Sequence, residues 1–587
     1  MKDVLSKLEV LALDFQATQA DPEKGRLLEV GWARVSASGY RENDAAIIET
    51  YLVADSSYGE IPGRVRRITG ISGDDLAAAS TPAEAWSRLV AVANDIARCG
   101  RRKTCPTVIH FARFEEPYLR QLHGHFDPDS LFPFEIVCTH EITKRLFPGL
   151  PRRGLRAVAG YFGHSVAELR RCGHHVVATM VIWKKLVELL ESTENIRTLD
   201  ELKDWLAHTK ASTRSGRIYP MDPGCRLGIP DKPGIYRILR SNGDVLYVGK
   251  ARSLRKRVNS YFQKRTRHAE HILEMLTQAA AVDYTVTGSA LEAAVRETDE
   301  IKRLIPPYNV ALRNLDRAVS FTTTDFTDFT PAPDDRHTVG PLISEEPLRQ
   351  LPFLAALLEY GLGEAGEEAC TSVLGIPPEY MPDNNCFTGG FALFREKHAE
   401  ALKRKPYLHA LVSLGTSEWR RRRMENGTEP SESDESPDDE APDISGDDES
   451  DQPVWTPESV VRVFESIVLR GAHVLRRARW FRLLSESSLA WSSARQSVPE
   501  KHLIVFEHGS MAYCTVLPLR ESVPVPPGYK KRGCDRLRRF DIMTYDRMRV
   551  VTTELRRLVS EGRTIELRVS PDVTMNSDGI GRMLEWV

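Results

Sequence analysis

The chain is 587 residues long, 41% hydrophobic and 28% charged, the balance of a soluble globular protein with room for about three or four domains. No apolar run reaches membrane-spanning length, and the opening MKDVLSKLEVLALDF lacks a basic stretch followed by an apolar one, so the protein is expected in the cytoplasm. The net charge of −2 hides an asymmetry: acids gather between Glu425 and Asp451, where there is no lysine or arginine, and the rest is basic, as a nucleic-acid partner requires.

From the N-terminus, Leu8 to Phe15 and Leu27 to Val35 read as successive strands, with Ile47 to Val53 a third. Pro82 to Ala97 reads as a helix, Cys105 to His110 as a short apolar strand, and helices follow from about Phe114 and from Val176 to Leu190. Strands first, then alternating helices and strands, predict an α/β domain.

The segments ALDFQATQ, RLLEVGWARV, RITGIS, IHFARFEEPYL and LPRRGLRAVAGYFG resemble the DEDD exonucleases, in the branch of the proofreading epsilon subunit of DNA polymerase III. The resemblance spans about 180 residues and implies an RNase H-like fold. That family holds two metals with four acids and uses a histidine as general base. Only Asp14 matches. The second acid is replaced by Gln16 and the third position is Glu115; where the family has histidine and then aspartate, this chain has Arg170 and His175. A shifted alignment onto His164 and Glu168 breaks the spacing. A neutral amide and an obligate cation cannot replace a carboxylate and a base, so an inactive exonuclease-like domain is expected, binding DNA ends or a partner.

Leu199 to Ser212 reads as one more helix, and the proline-rich stretch from Arg217 to Pro233 as a stiff connector. Then PGIYRILRSNGDVLYVG reads as a hairpin turning through Ser241-Asn242-Gly243-Asp244, its second strand ended by Gly249. Lys250 to Phe262 reads as a basic helical run, and Ser289 with Glu292 as a capping box opening an apolar-periodic helix. On that helix Glu297 shares a stripe with Ala293, Ala294 and Ile301, an expensive place for a carboxylate unless it holds a cation. Tyrosines, cations and one carboxylate on a hairpin-plus-helix unit suit a one-metal phosphodiesterase.

This stretch resembles the GIY-YIG nucleases of the UvrC/Cho excinuclease type through GIY and YVG at hairpin spacing, YVGKARSLRKRVNSYF, TGSALEAAVRE and PPYNVALR. The resemblance implies that Tyr236 and Tyr247 line the site, with Tyr236 nearest the attacking water. It implies that Lys250 and Arg257 bind and polarise phosphate, and that Tyr261 stands where other branches carry histidine. Glu297 is then the ligand for Mg²⁺ or Mn²⁺, and Asn309 closes the site.

Beyond Asn309, FTTTDFTDFTPAPDDRHTVGPL predicts a small β element, and Leu348 to Tyr360 and Glu396 to Leu414 predict helices. The nine cysteines stand singly, and Cys370 and Cys386 form no metal pattern. Trp419 to Arg423 runs into the acidic stretch, which lacks the apolar residues for a core and is expected to be a disordered linker. After it, Pro457 to Leu484 predicts a helix whose arginines face away from Trp480, Leu483 and Leu484. A hairpin across Glu507-His508-Gly509-Ser510, a helix from Thr544 to Val559, a strand from Ile565 to Val569 and a last short helix complete an α/β unit. Lys530 to Arg532 with Arg536, Arg538 and Arg539 form a basic patch suited either to DNA phosphates or to plain solvation.

The expected architecture is multidomain α/β: an exonuclease-like domain over 1–200, a linker over 201–232 and a GIY-YIG domain over 233–315. A β element and helical region over 316–423, an acidic linker over 424–453 and an α/β domain over 454–587 follow. The resemblances imply an endonuclease that cuts DNA by shape or damage, in the nucleoid, during excision repair. Neither a helix-hairpin-helix signature nor a second nuclease motif occurs in the sequence, which favours one incision over two. The other reading is a scaffold docking to repair or replication machinery, or serving defence against foreign DNA, with its nuclease active only when recruited.

Overall fold

The computed structural model describes residues 4–40, 48–54, 61–165, 170–210, 216–263, 267–310, 312, 317–362, 371–375, 381–426, 455–492, 500–530 and 537–585. Its contacts divide the chain into two units, Met1–Val286 with Leu304–Val310, and Thr287–Arg303 with Ala311–Val587. Both are mixed α/β. Residues 427–451 of the acidic stretch, Cys370 and the basic residues 531–536 lie outside the described residues.

The first unit begins with a five-stranded sheet of β1 (Glu9–Ala17), β2 (Leu27–Ser36), β3 (Ile48–Leu52), β4 (Cys105–Ile109) and β5 (Phe134–Cys138). The order is β3-β2-β1-β4-β5, antiparallel among the first three strands and parallel from β1 through β4 to β5. The strand β1 is apolar at almost every position because both of its faces are covered. Val10 and Ala12 enter one core with Val176 and Trp183 of the Cys172–Thr193 helix, while Leu11, Leu13 and Phe15 enter the other with Trp86 and Leu89. The predicted Val176 start falls one turn late. The predicted Leu199–Ser212 helix ends at His208, and 211–215 lies outside the described residues.

His110, at the end of β4, is buried with both ring nitrogens engaged, Nδ1 2.9 Å from Thr139 Oγ1 and Nε2 2.9 Å from the Arg153 carbonyl. A carbonyl only accepts, so Nε2 carries the proton and Nδ1 accepts from threonine. Burial pushes this imidazole down from 6.5 to about 3. The unfolded chain therefore binds a proton that the folded one refuses, and stability present above about pH 6.5 is lost as pH falls toward 3. The loss amounts to at most about 4–5 kcal/mol at about 1.4 kcal/mol per unit. Denaturant midpoints measured across this window should fall steeply for the wild type and stay flatter for His110→Gln; parallel curves would contradict the assignment.

The same unit continues with a second sheet, β7 (Val245–Ala251), β6 (Gly234–Leu239) and β8 (Ala281–Val286), all antiparallel. Gly243, at φ 91°, makes the predicted turn, where Arg240 N donates to Asp244 O at 2.9 Å. Gly249 does not end the strand, which pairs on to Ala251 opposite Gly234, so Lys250 is a strand residue. The helix spans only Leu254–Ser260, because Ser253 caps it by accepting from Lys256 N at 3.2 Å. A Glu270–Gln278 helix then packs Met275 and Leu276 into a core shared with Tyr236 and Leu254.

In the second unit the Ala290–Leu304 helix opens as predicted, with Ser289 Oγ accepting from Glu292 N at 3.1 Å. The Glu292 carboxylate accepts from Gly288 N at 2.8 Å, one residue before the expected partner. Leu291 and Val295 enter a core with Trp480, Phe506 and Met548. The expected β element is a sheet of β9 (Ser320–Thr322), β10 (Phe329–Thr330) and β11 (Val339–Leu342), in the order β10-β9-β11. The Glu346–Tyr360, Asn384–Lys397, Tyr407–Asn426 and Pro457–Leu484 helices share one core. The single helix predicted over Glu396–Leu414 is thus two, parted before Pro406, which has no N–H to give. The last sheet joins β12 (Ser488–Ser492), β13 (Glu500–Glu507), β14 (Ser510–Pro518), β15 (Ile565–Arg568) and β16 (Thr574–Asn576) in the order β14-β13-β12-β15-β16, with the Ile542–Ser560 helix between β14 and β15 in the chain and the Ser577–Leu584 helix after β16. Arg477, one of the arginines expected to face away from Trp480, Leu483 and Leu484, is buried with its guanidinium 5.9 Å from the Tyr545 ring centroid.

Candidate active site

Three tyrosines of the first unit converge. Tyr236, on the middle strand β6, is fully buried, and its hydroxyl lies 2.9 Å from that of Tyr261, just past the Leu254–Ser260 helix. Arg257 Nη2 donates to the Tyr261 hydroxyl at 3.2 Å, and its guanidinium stands 5.0 Å from that ring's centroid. The Tyr247 ring, half-buried on β7, lies 6.1 Å from that of Tyr236. The crowding explains Gly249. A Cβ there would stand 2.5 Å from the Tyr236 hydroxyl and 2.8 Å from Tyr247 Cε1.

Burial, with Tyr261 and Tyr247 close by, holds the Tyr236 phenol well above the usual tyrosine range. Burial opposes charge on Arg257, but the surrounding tyrosine hydroxyls raise its pKa above the ordinary guanidinium value, so it remains a cation. A fixed cation beside a hydrogen-bonded pair of tyrosine hydroxyls is suited to orienting and neutralising an anionic phosphate. His268, which the sequence gave no reason to single out, adds its Nε2 2.8 Å from the Tyr261 carbonyl oxygen.

Asn309 works through the backbone of β7. Its Oδ1 accepts from Val248 N and its Nδ2 donates to Val248 O, both at 2.9 Å, so the side chain pairs with the strand like a further strand residue. Lys250 is half-buried on β7, opposite Ile235 in register. Glu297 is half-buried on the Ala290–Leu304 helix of the second unit, where Ala293, Ala294 and Ile301 are buried as the stripe predicted. Among the described residues no group of three or more His, Cys, Asp or Glu is gathered for a metal. A single carboxylate oxygen suits a hard cation that completes its shell with water and phosphate, as Mg²⁺ does.

The degenerate exonuclease positions also gather. His175 Nδ1 lies 2.9 Å from Asp14 Oδ2, and Gln16 Nε2 donates to the Arg170 carbonyl at 2.5 Å. Glu115 is buried, and burial, then the Asp14 charge, holds its carboxyl well above the usual range. The sequence reading missed Glu29, a lone acid in the apolar LLEVGW. It is buried and accepts from Arg171 Nη2 and Cys172 N, both at 2.9 Å. Glu168 lies outside the described residues.

Residues 232–310 match the UvrC-like GIY-YIG domain family. UvrABC system protein C of Rhizobium johnstonii is 48% identical over 86 residues, which are 15% of this chain and 12% of that protein. The Clostridium perfringens protein of the same name is 44% identical over 86 residues, 15% and 14% of the two chains. The GIY-YIG N-terminal endonuclease domain of UvrC from Thermotoga maritima, solved with its catalytic magnesium, is 31% identical over 15% of this chain and 100% of that one, with a TM-score of 0.14. The nuclease domain of 3'hExo, a DEDDh family member solved with rAMP, is 14% identical over 32% and 94% of the chains, with a TM-score of 0.25. The chain spans only 12–14% of the length of the two curated relatives above. Within it, residues 232–310 are a UvrC-like GIY-YIG nuclease domain.

Proposed function

We propose that this chain is a metal-dependent DNA endonuclease of the UvrC/Cho type, making one incision in excision repair. The observation that carries the reading is the Tyr236–Tyr261–Arg257 hydrogen-bonded chain, built inside the domain that matches the UvrC-like family. Arg257 and Lys250 neutralise charge developing on the phosphate. Tyr236, buried and reluctant to ionise, acts as a neutral hydroxyl that fixes Tyr261 rather than as the base that activates water. Tyr247, the half-buried tyrosine of the three, is the one with access to solvent and substrate. Asn309 keeps β7 in register beneath them. Glu297 would hold Mg²⁺ or Mn²⁺, which supplies Lewis-acid polarisation of the phosphate and leaving oxygen.

The N-terminal sheet with its helices is read as an exonuclease-like domain that no longer cuts. Its donor set does not fit a pair of divalent ions: Gln16 is neutral, Arg170 is a fixed cation, and Asp14 is engaged by His175. Such a domain would grip a DNA end or a repair or replication protein. A scaffold whose nuclease waits for recruitment is the second reading, favoured by the same neutralised site. Recognition of DNA would rest on shape or damage, in the cytoplasm at the nucleoid. Among the described residues no helix is long and apolar enough to cross a membrane.

End-labelled duplex, with and without a bulky lesion, incubated with Mg²⁺ or with chelator, tests the reading. Discrete internal products that vanish with chelator are expected. Mononucleotides released from the 3′ end would transfer the activity to the N-terminal domain, and no cleavage on any substrate would favour the recruited scaffold.

A further inference from the structure

The exonuclease-like part is docked on the nuclease domain within the first unit, and the joint leads into the active site. Its Leu155–Tyr161 helix meets the Glu270–Gln278 helix at Gly160, where a Cβ would stand 1.8 Å from Gln278 Oε1. Gln278 is 2% exposed and bridges two directions: its Oε1 accepts from Arg240 Nη2 at 2.9 Å, and its Nε2 donates to the Tyr308 hydroxyl at 2.5 Å. That hydroxyl donates in turn to Glu274 Oε1 at 2.6 Å. From the exonuclease-like side, Arg156 stands 5.0 Å over the Tyr308 ring with its Nε 3.4 Å from the same Glu274 oxygen. A second strap closes nearby, where Asn242 of the hairpin turn donates to the Gly163 carbonyl at 3.0 Å.

The network ends one residue from the site. Tyr308 N donates to Leu246 O at 3.1 Å, and Asn309 clamps both backbone groups of Val248, the residue between Tyr247 and Gly249. Tyr308 and Asn309 are therefore one rigid bracket, held by the exonuclease-like helix at one end and holding β7 at the other. Gln278, Arg240 and Tyr308 are buried, so a partner lost there leaves an unsatisfied polar group, while Arg156 and Glu274 close the network from its half-buried rim.

We propose that the Leu155–Tyr161 helix is a positioning element of the nuclease, acting through Gln278 and Tyr308 to fix Asn309 and β7. The exonuclease-like part would then serve cutting by completing its neighbour's site, whatever it binds itself. The inference rests on the nuclease reading above, since a bracket for β7 matters to turnover only if Tyr247 and its neighbours act on DNA. A displacement of about 1 Å in a positioning element can cost about 10²-fold in rate.

Two variants of the full chain test it. Gly160→Ala would by helix propensity alone stabilise its helix by about 1 kcal/mol, yet its methyl collides with Gln278, so the docking should loosen instead. Arg156→Ala removes a partly exposed side chain with no clash, and Arg156→Lys keeps a cation over the Tyr308 ring. For Gly160→Ala and Arg156→Ala we expect kcat to fall about 10–100-fold with KM for DNA nearly unchanged, and faster hydrogen exchange at 246–248 and at Tyr308 and Asn309. Arg156→Lys should restore most of both. Unchanged exchange in both Ala variants overturns the proposal, and so does faster exchange with unchanged kcat. If the wild type cuts nothing, the nuclease reading fails on that result, and the proposed role falls with it, while the exchange arm still reports whether the joint exists.

Discussion

Glu297→Gln should reduce Mg²⁺-dependent cleavage by at least about 10³-fold, roughly 4 kcal/mol of transition-state stabilisation, while leaving DNA affinity within a fewfold. The substitution keeps the side chain's length and removes only its charge. A neutral amide oxygen is a much weaker ligand for a hard cation than a carboxylate. Glu297 is half-buried and follows a turn whose Ala293, Ala294 and Val295 make the packing contacts, so the helix should tolerate the change without loss of stability. On the proposed reading, DNA binding would depend on cations elsewhere, Arg257 and Lys250 among them, and so should persist. Single-turnover cleavage, DNA binding by anisotropy and a melting curve on one preparation separate these effects. Cutting retained at the wild-type rate would remove Glu297 from the site; cutting lost along with the melting transition would make it a structural residue.

The sequence was most legible where chemistry is local. The hairpin of β6 and β7, the Ser289 cap and the apolar run of β1 each carry their cause within a few residues: a Gly243 turn, a hydroxyl three residues from an amide, a strand buried on both faces. The converging tyrosines were legible through motif spacing, but the state of Tyr236 was not. Only packing shows that its hydroxyl meets that of Tyr261 and that burial holds its proton, which is what supports the positioning role proposed for it over water activation. The strand β12 was missed because Ser488–Ser492 sits in a serine-rich stretch that reads as loop. It is a strand because β13 and β15 pair with it on both sides, which buries Ser488. The bracket at Tyr308 was also invisible, since Arg156, Arg240, Gln278 and Tyr308 are distant in sequence and unremarkable one by one. The basic run at Lys250 has no strand periodicity and reads as helix, yet pairing with β6 extends the strand through it.

The helix that carries Glu297 is also where a large loss of stability is expected from a single substitution. Lys302 Nζ lies 2.5 Å from Asp546 Oδ2 with both side chains almost wholly buried, 1% and 3% exposed, and Asp299 meets Arg547 Nε at 2.5 Å alongside. Two buried ions are stable only as a pair, because the desolvation cost of each is offset by the other. Removing one leaves a buried charge without a counterion, so Lys302→Ala and Asp546→Ala should each cost about 3–5 kcal/mol. The pair itself need contribute little. The double variant Lys302→Met with Asp546→Leu, apolar and of similar volume, should return to within about 1 kcal/mol of the wild type or exceed it. The chain holds two units, so a single melting temperature would blur the effect. Denaturant-dependent hydrogen exchange in the Ile542–Ser560 helix reads this unit alone. If either single variant cost less than about 1 kcal/mol, or the double variant were worse than both, the two side chains would not form a coupled pair. The asymmetry matters for the Glu297 experiment as well. Lys302 and Glu297 share one helix, so a cleavage defect from Lys302→Ala that the apolar double variant repairs belongs to the helix's anchorage, whereas the defect of Glu297→Gln should survive any restoration of packing.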